Sequence, residues 1–161
     1  MMKREFPNAQ LLRNEIYSVK RSDIVFEARS WLGTPYHHQA SVKSIGCDCL
    51  GLVRGVYTKL MRHDPETPPP YSKDWAEALK EETLLLAAGR YLNTINIQDR
   101  TQGDVVIFRF RKSTVAKHAG ILTERDRMIH ATEKANVAEV HLSHWWQRRI
   151  AGVYQFPGVI N

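Results

Sequence analysis

Three side chains in this sequence can combine into nucleophilic chemistry: Cys49 and, far downstream, His118 and His130. A thiol becomes an effective nucleophile when an imidazole takes its proton and a third group fixes that imidazole. Cys49 follows Asp48, a residue suited to cap a helix, and precedes an apolar-periodic run, so it falls in a helix's first turn. There, unpaired backbone N–H groups and the helix dipole favour a thiolate. The same N–H groups can receive the oxyanion of a tetrahedral intermediate. His118 lies near the start of a predicted strand, in Lys117-His118-Ala119-Gly120, and shares a face with Gly120 and Leu122. The glycine leaves room beside the ring. His130 lies on the next strand, across a hairpin, where cross-strand neighbours come close enough for it to hold the His118 ring. Each residue also has an ordinary alternative, as a small buried cysteine or a surface or core histidine. Spacing alone leaves the two readings level.

A metal centre is the chemical rival, because Cys47, Cys49, His37 and His38 could supply four ligands. Zinc sites usually separate paired cysteines by two to four residues, and adjacent histidines seldom both reach one tetrahedral ion. The balance therefore favours no metal, with Cys47 a small residue packed behind the nucleophile. A disulfide between Cys47 and Cys49 would span a single residue and be badly strained.

The elements that must position these groups follow from periodicity. A first helix is predicted from Ser22 as its N-cap, with Ile24, Val25, Ala28, Trp31 and Leu32 along one face. Gly33 supplies its stop, and Pro35 forbids continuation. After a polar loop over 36–46, a second helix is predicted over 48–62, with Leu50, Val53, Tyr57 and Leu60 as its buried stripe. Pro65 and the triplet Pro68-Pro69-Pro70 mark an extended connector. A third helix is predicted over 72–88, carrying Trp75, Leu79 and Leu86 and ended by Gly89. The period then changes to two, predicting strands over 104–110, 117–123, 127–131, 137–141 and 150–156. Glu124-Arg125-Asp126 reads as a hairpin turn and 143–149 as a short helical turn. Helices followed by antiparallel strands read as α+β. Residues 1–21, polar and without sustained periodicity, read as an N-terminal extension to one domain over 22–161.

A chain of 161 residues, 43% hydrophobic and 25% charged, can bury a real core. The longest apolar run, 84–88, is far too short to span a membrane, so no membrane insertion is expected. The charged N-terminus leads into no apolar segment, which predicts no secretory signal and synthesis in the cytoplasm. The net charge of +6 raises a nucleic-acid reading, and basic residues pair at 20–21, 111–112 and 148–149. They are scattered along the chain, however, and no nucleic-acid-binding motif organises them. A solvated basic surface is the expectation, with attraction to an anionic polymer such as cell-wall glycan as the alternative. Trp145-Trp146 reads either as a glycan-stacking pair or as one core and one rim residue.

Gly33-Thr34-Pro35-Tyr36 followed by Gly46-Cys47-Asp48-Cys49-Leu50-Gly51-Leu52-Val53 resembles the nucleophile region of the NlpC-type cell-wall peptidases. Gly103-Asp104-Val105-Val106 is similar to that family's strand entry, Lys117-His118-Ala119-Gly120-Ile121 to its histidine strand, and Ile129-His130-Ala131 to its third-residue segment. The motifs occur in family order and cover roughly 22–158. The resemblance implies a papain-like fold, with the nucleophile helix packed on a five- to six-stranded antiparallel sheet. It implies hydrolysis of amide bonds in peptidoglycan stem peptides, commonly between γ-D-glutamate and a diamino acid, without a cofactor. In the implied roles Cys49 attacks, His118 is the base and His130 orients it. Tyr36 helps the oxyanion or substrate, and Asp48 lies in the substrate groove. Leu50 departs from the serine usual after the nucleophile, which leaves the exact substrate open. The stretches 37–43 and 145–152 further resemble a branch found in tail modules of phages and gene transfer agents. That branch implies phage-like tail proteins as partners, no nucleic-acid partner, and action at a target cell's wall or periplasm. The alternatives are a structural tail-tip subunit with little turnover and an amide acyltransferase on the same scaffold.

Overall fold

A computed structural model of the protein describes residues 18–68 and 80–161. Strand β1 (Val19–Lys20) leads directly into helix α1 (Arg21–Arg29). The helix begins one residue before Ser22, and Lys20 at its N-cap makes no side-chain cap bond. Ile24, Val25, Ala28 and Trp31 are buried as expected, but Leu32 is exposed, because helical backbone ends at Arg29 and the turns through Gly33 rotate it outward. Gly33 takes a positive φ of 84°, the left-handed conformation that favours glycine.

A small antiparallel pair, β2 (Ser41–Val42) and β3 (Gly46–Cys47), delivers the chain to helix α2 (Cys49–Met61). The Asp48 side chain caps this helix by accepting the Gly51 N–H, as the sequence implies. The buried face is turned from the predicted stripe. Leu52 and Val56 are fully buried beside Val53 and Tyr57, while Leu50 and Leu60 are only half-buried. The reason is that α2 is enclosed on more than one side, packing against both α1 and the large sheet. Helix α3 (Thr83–Tyr91) runs through Gly89 instead of ending there, and Leu86 is exposed. The predicted helix residues 72–79, Trp75 and Leu79 among them, lie outside the described residues.

Six strands form one antiparallel sheet: β4 (Asn93–Ile95), β5 (Val105–Phe108), β6 (His118–Glu124), β7 (Arg127–His130), β8 (Ala138–His141) and β9 (Ile150–Gln155). Their spatial order is β4-β9-β5-β6-β7-β8. Five match predicted strands. The sixth, β4, is three polar or isolated apolar residues with no alternation to reveal it. A short helix α4 (His144–Gln147) precedes β9. Strand β10 (Val159–Ile160) pairs with β1 in parallel, and Val19 is buried. Residues 18–21, part of the stretch read as an extension, are therefore joined to the domain.

All four β5 residues are buried, because the sheet is covered on both faces. One face carries Val105, Ile107, Ala119, Ile121 and Ile129, under the helices. The other carries Val106, Phe108, Leu122, Met128 and Leu142, with Trp146 against it. This is the α+β, papain-like architecture that the sequence implies, with the Cys49 helix laid against β6.

Candidate active site

Cys49 is the first residue of α2, held there by the Asp48 cap. The cap depends on close backbone approach: a Cβ on Gly51 would fall 1.8 Å from the Ala40 carbonyl oxygen, so only glycine lets the 36–47 segment fold over the helix start. The backbone amides of Ala119, Leu50 and Cys49 lie close enough to the Cys49 sulfur to favour its thiolate. Ala119 directly follows His118, so this amide ties the helix start to the histidine strand.

The His118 imidazole Nε2 and His130 Nδ1 are 3.0 Å apart. Both rings are buried. The register of β6 with β7 pairs Ile121 with Ile129, which sets His130 opposite Gly120 and makes the histidine pair diagonal. Gly120 is what permits it. A Cβ there would stand 3.0 Å from the Met128 sulfur and 3.5 Å from the His130 Cβ, so the room it leaves belongs to β7. The sequence reading placed that room beside the His118 ring instead.

Aromatic rings complete the wall. His118 lies 5.4 Å from Trp146 and 5.8 Å from Phe110, both stacked, and 5.9 Å from Phe108. Trp146 also meets His130 edge-on at 5.3 Å. These three residues were not assigned to the site from sequence. A partial signal was available, since Phe108 and Phe110 alternate along the predicted strand 104–110, although β5 ends at Phe108; the pairing of Phe108 with His118 shows only in the structure. Trp145, by contrast, is 44% exposed under the Arg149 guanidinium. The tryptophan pair thus divides into one wall residue and one rim residue.

Electrostatics follow from this packing. Burial, and then the Asp48 carboxylate, pushes the Cys49 thiol up to about 12, while the three amides pull the other way. Burial, and then His130, pushes His118 down to about 3; burial pushes His130 down to about 4. The resting pair is therefore neutral thiol and neutral imidazole. The helix-start amides do favour a thiolate, and desolvation opposes them. Tyr36, half-buried, is raised to about 12 by burial and by the charges of Asp48, Cys49 and Glu133, so its hydroxyl keeps its proton.

Asp48 is only 3% exposed. Its Oδ1 accepts the Gly51 N–H at 2.7 Å and its Oδ2 the Gln39 N–H at 2.8 Å, with His38 Nδ1 3.8 Å away. It braces the loop and the helix rather than lying open in a groove. Cys47 is fully buried in the core, whereas Cys49 is partly exposed. Among the described residues no three His, Cys, Asp or Glu side chains converge as metal ligands, and no helix is long and apolar enough to cross a membrane.

The NlpC/P60 family model matches residues 33–155. The gamma-DL-glutamyl hydrolase of Bacillus subtilis (strain 168) is 29% identical over 137 residues, covering 84% of this chain and 29% of that protein. An NlpC/P60 family protein from Bacillus cereus ATCC 10987 superposes with a TM-score of 0.65 at 17% identity, over 90% of this chain and 43% of the other. The NlpC/p60 domain of the peptidoglycan hydrolase SagA gives 0.61 at 21% identity, over 86% of this chain and all of that domain. At such identities the structural likeness is one of fold. The chain spans under a third of the length of its curated relative.

Proposed function

Since the chain belongs to the NlpC/P60 family, we propose that it is a cysteine peptidase cutting γ-glutamyl amide bonds in peptidoglycan stem peptides. What supports this reading is the His118–His130 pair, 3.0 Å apart, together with the amide of the next residue, Ala119, beside Cys49 at its helix start. The name of the Bacillus subtilis relative supports a γ-glutamyl bond.

The chemistry balances with these residues alone. As the sulfur attacks the amide carbon, its proton passes to His118 Nδ1 and the C=O electrons move to oxygen. For Nδ1 to accept, His118 Nε2 must carry hydrogen and donate to His130 Nδ1. His130 therefore holds the ring and its tautomer and supports the imidazolium that forms. In this reading the Cys49 and Leu50 amides and the Tyr36 hydroxyl receive the developing oxyanion. Collapse breaks the C–N bond as His118 returns the proton to the leaving amine. Water, deprotonated by His118, then hydrolyses the thioester to a carboxylate and restores the thiol. Because the resting pair is neutral, proton transfer accompanies attack instead of preceding it.

Release of amino groups from purified peptidoglycan tests the reading. Wild type and Cys49→Ala should differ by at least about 10³-fold. Cys47→Ala should stay within a few-fold, because its thiol lies in the core. Well-folded wild type that releases nothing from several wall chemistries would sink the peptidase and leave a structural subunit.

The setting is a separate reading. The likeness of 37–43 and 145–152 to a phage and gene-transfer-agent branch favours a protein made in the cytoplasm, assembled with tail proteins and acting at a target wall. Co-sedimentation with tail particles checks it, and absence from them would count against it.

A further inference from the structure

Folding gathers basic residues that look scattered in the sequence. Residues 109–117 and 144–149 together hold six Lys or Arg and no Asp or Glu, as many charges as the surplus of the whole chain. The two segments are fastened to each other, Arg109 N–H donating to the Arg149 carbonyl at 2.8 Å and Arg149 Nε to the Phe110 carbonyl at 3.2 Å. Between them lies a cleft lined by Arg109, Phe110, Arg111, Lys112, Arg148 and Arg149.

The cleft adjoins the catalytic histidine. One face of Phe110 stacks on His118 at 5.8 Å, and Trp145, capped by Arg149, lies 6.1 Å from Phe110. At roughly 3.4 Å per extended residue, a chain leaving the imidazole reaches Trp145 within about three to four residues. Arg109 is committed to Glu82 and the Thr114 carbonyl, and Arg149 to carbonyls and the indole. Arg111, Lys112 and Arg148 are exposed and have no acidic partner among the described residues. Unpaired cations beside an active site, with two aromatic rings between, favour an anionic chain held in register with the reacting bond.

We propose that this cleft is a substrate-binding subsite for a peptide bearing several free carboxylates, which enters it from the cleavage site across Phe110 and Trp145. The carboxylate assignment rests on the peptidase reading above, since the occupant must continue from an amide bond at Cys49. Guanidinium forks suit carboxylates in two-point contact, and Arg111 and Arg148 supply them from the two segments that line the cleft.

Binding and turnover are measured apart. In a Cys49→Ala background, binding is titrated with γ-linked polyglutamate at low and moderate salt by tryptophan fluorescence, with a Trp145→Phe variant to assign the change. Adding Arg111→Gln, Lys112→Gln and Arg148→Gln should weaken binding about ten- to a hundredfold and flatten its salt dependence. Removing equal charge elsewhere, with Lys59→Gln, Arg62→Gln and Lys80→Gln, should leave binding within about twofold. With Cys49 intact, the cleft variant should raise KM for a carboxylate-rich substrate and leave its fully amidated counterpart unaffected. Unchanged binding in the cleft variant would overturn the proposal while hydrolysis stood. Loss of hydrolysis with cleft-dependent binding intact would overturn the peptidase alone. Single-stranded DNA of matched charge binding as tightly as polyglutamate would overturn the carboxylate assignment.

Discussion

The two ends of the β5–β6 ladder are both buried, yet they handle polarity in opposite ways. At one end Asp104, fully buried, accepts the Arg21 guanidinium at 2.7 Å and the Thr101 N–H at 2.8 Å. Burial raises that carboxyl, and Arg21 and the amide pull it back. At the other end His118 and His130 lie among Phe108, Phe110 and Trp146, their facing nitrogens 3.0 Å apart, and burial keeps both neutral. The first end spends charge on holding α1 to the sheet. The second withholds charge, which suits the proposed role of His118 as a proton acceptor. A fixed charge steadies a fold, whereas a general base must be free to gain one.

Crossing substitutions between the ends gives the largest effects. His118→Gln keeps bulk and removes the base, so peptidoglycan hydrolysis should fall at least about 10³-fold while the denaturation midpoint changes little. Arg21→Met should do the reverse. It leaves Asp104 buried without its cation, for a stability loss of about 3–5 kcal/mol, with turnover preserved below the lowered melting temperature. Chemical denaturation and initial rates on the same samples separate the two. If both variants lost both properties, the ends would not be functionally distinct.

The contrast between the ends was unevenly legible in the sequence. Helix and strand periods gave the α+β order, five of the six sheet strands and the Asp48 cap, since those depend on neighbours along the chain. Cys49, His118 and His130 emerged from motif order, and the histidine pairing from their places on a hairpin. Packing direction was harder. Leu50 and Leu60 were expected in the core where Leu52 and Val56 lie, because α2 is enclosed by both α1 and the sheet. The neutral state of the site was invisible for the same reason. A helix start argues for thiolate until the tertiary burial of Cys49 is known. The basic cleft, too, exists only once 109–112 and 148–149 are side by side.

The neutral end should reveal itself on mild acidification. An unfolded histidine titrates near 6.5, whereas His118 and His130 in the fold are lowered to about 3 and about 4. The unfolded chain therefore binds more protons throughout that interval. The stability this pair contributes is full above pH 6.5 and is lost progressively as pH falls toward 4. His130→Asn should remove its share of the slope in urea titrations at pH 7, 6 and 5. An unchanged slope would mean that His130 is not buried neutral.

The smallest effect probes the single charge that intrudes on the neutral end. Asp48 contributes a carboxylate beside Cys49, and it is the second cause, after burial, of the raised thiol. Asp48→Asn keeps one oxygen for the Gly51 N–H, so the helix cap survives, but it turns an NH2 toward the Gln39 N–H at a cost of about 1–3 kcal/mol. It removes the negative charge, so the thiol should ionise more readily. The pH profile of Cys49 alkylation by iodoacetamide should then move to lower pH, with the rate at pH 8 rising by about two- to tenfold. Cys47, buried in the core, should stay unmodified in both proteins and so serves as the internal reference. A profile that moved to higher pH would show that the carboxylate supports the thiolate through the capped amides more than it repels it, and the neutral resting pair would have to be given up.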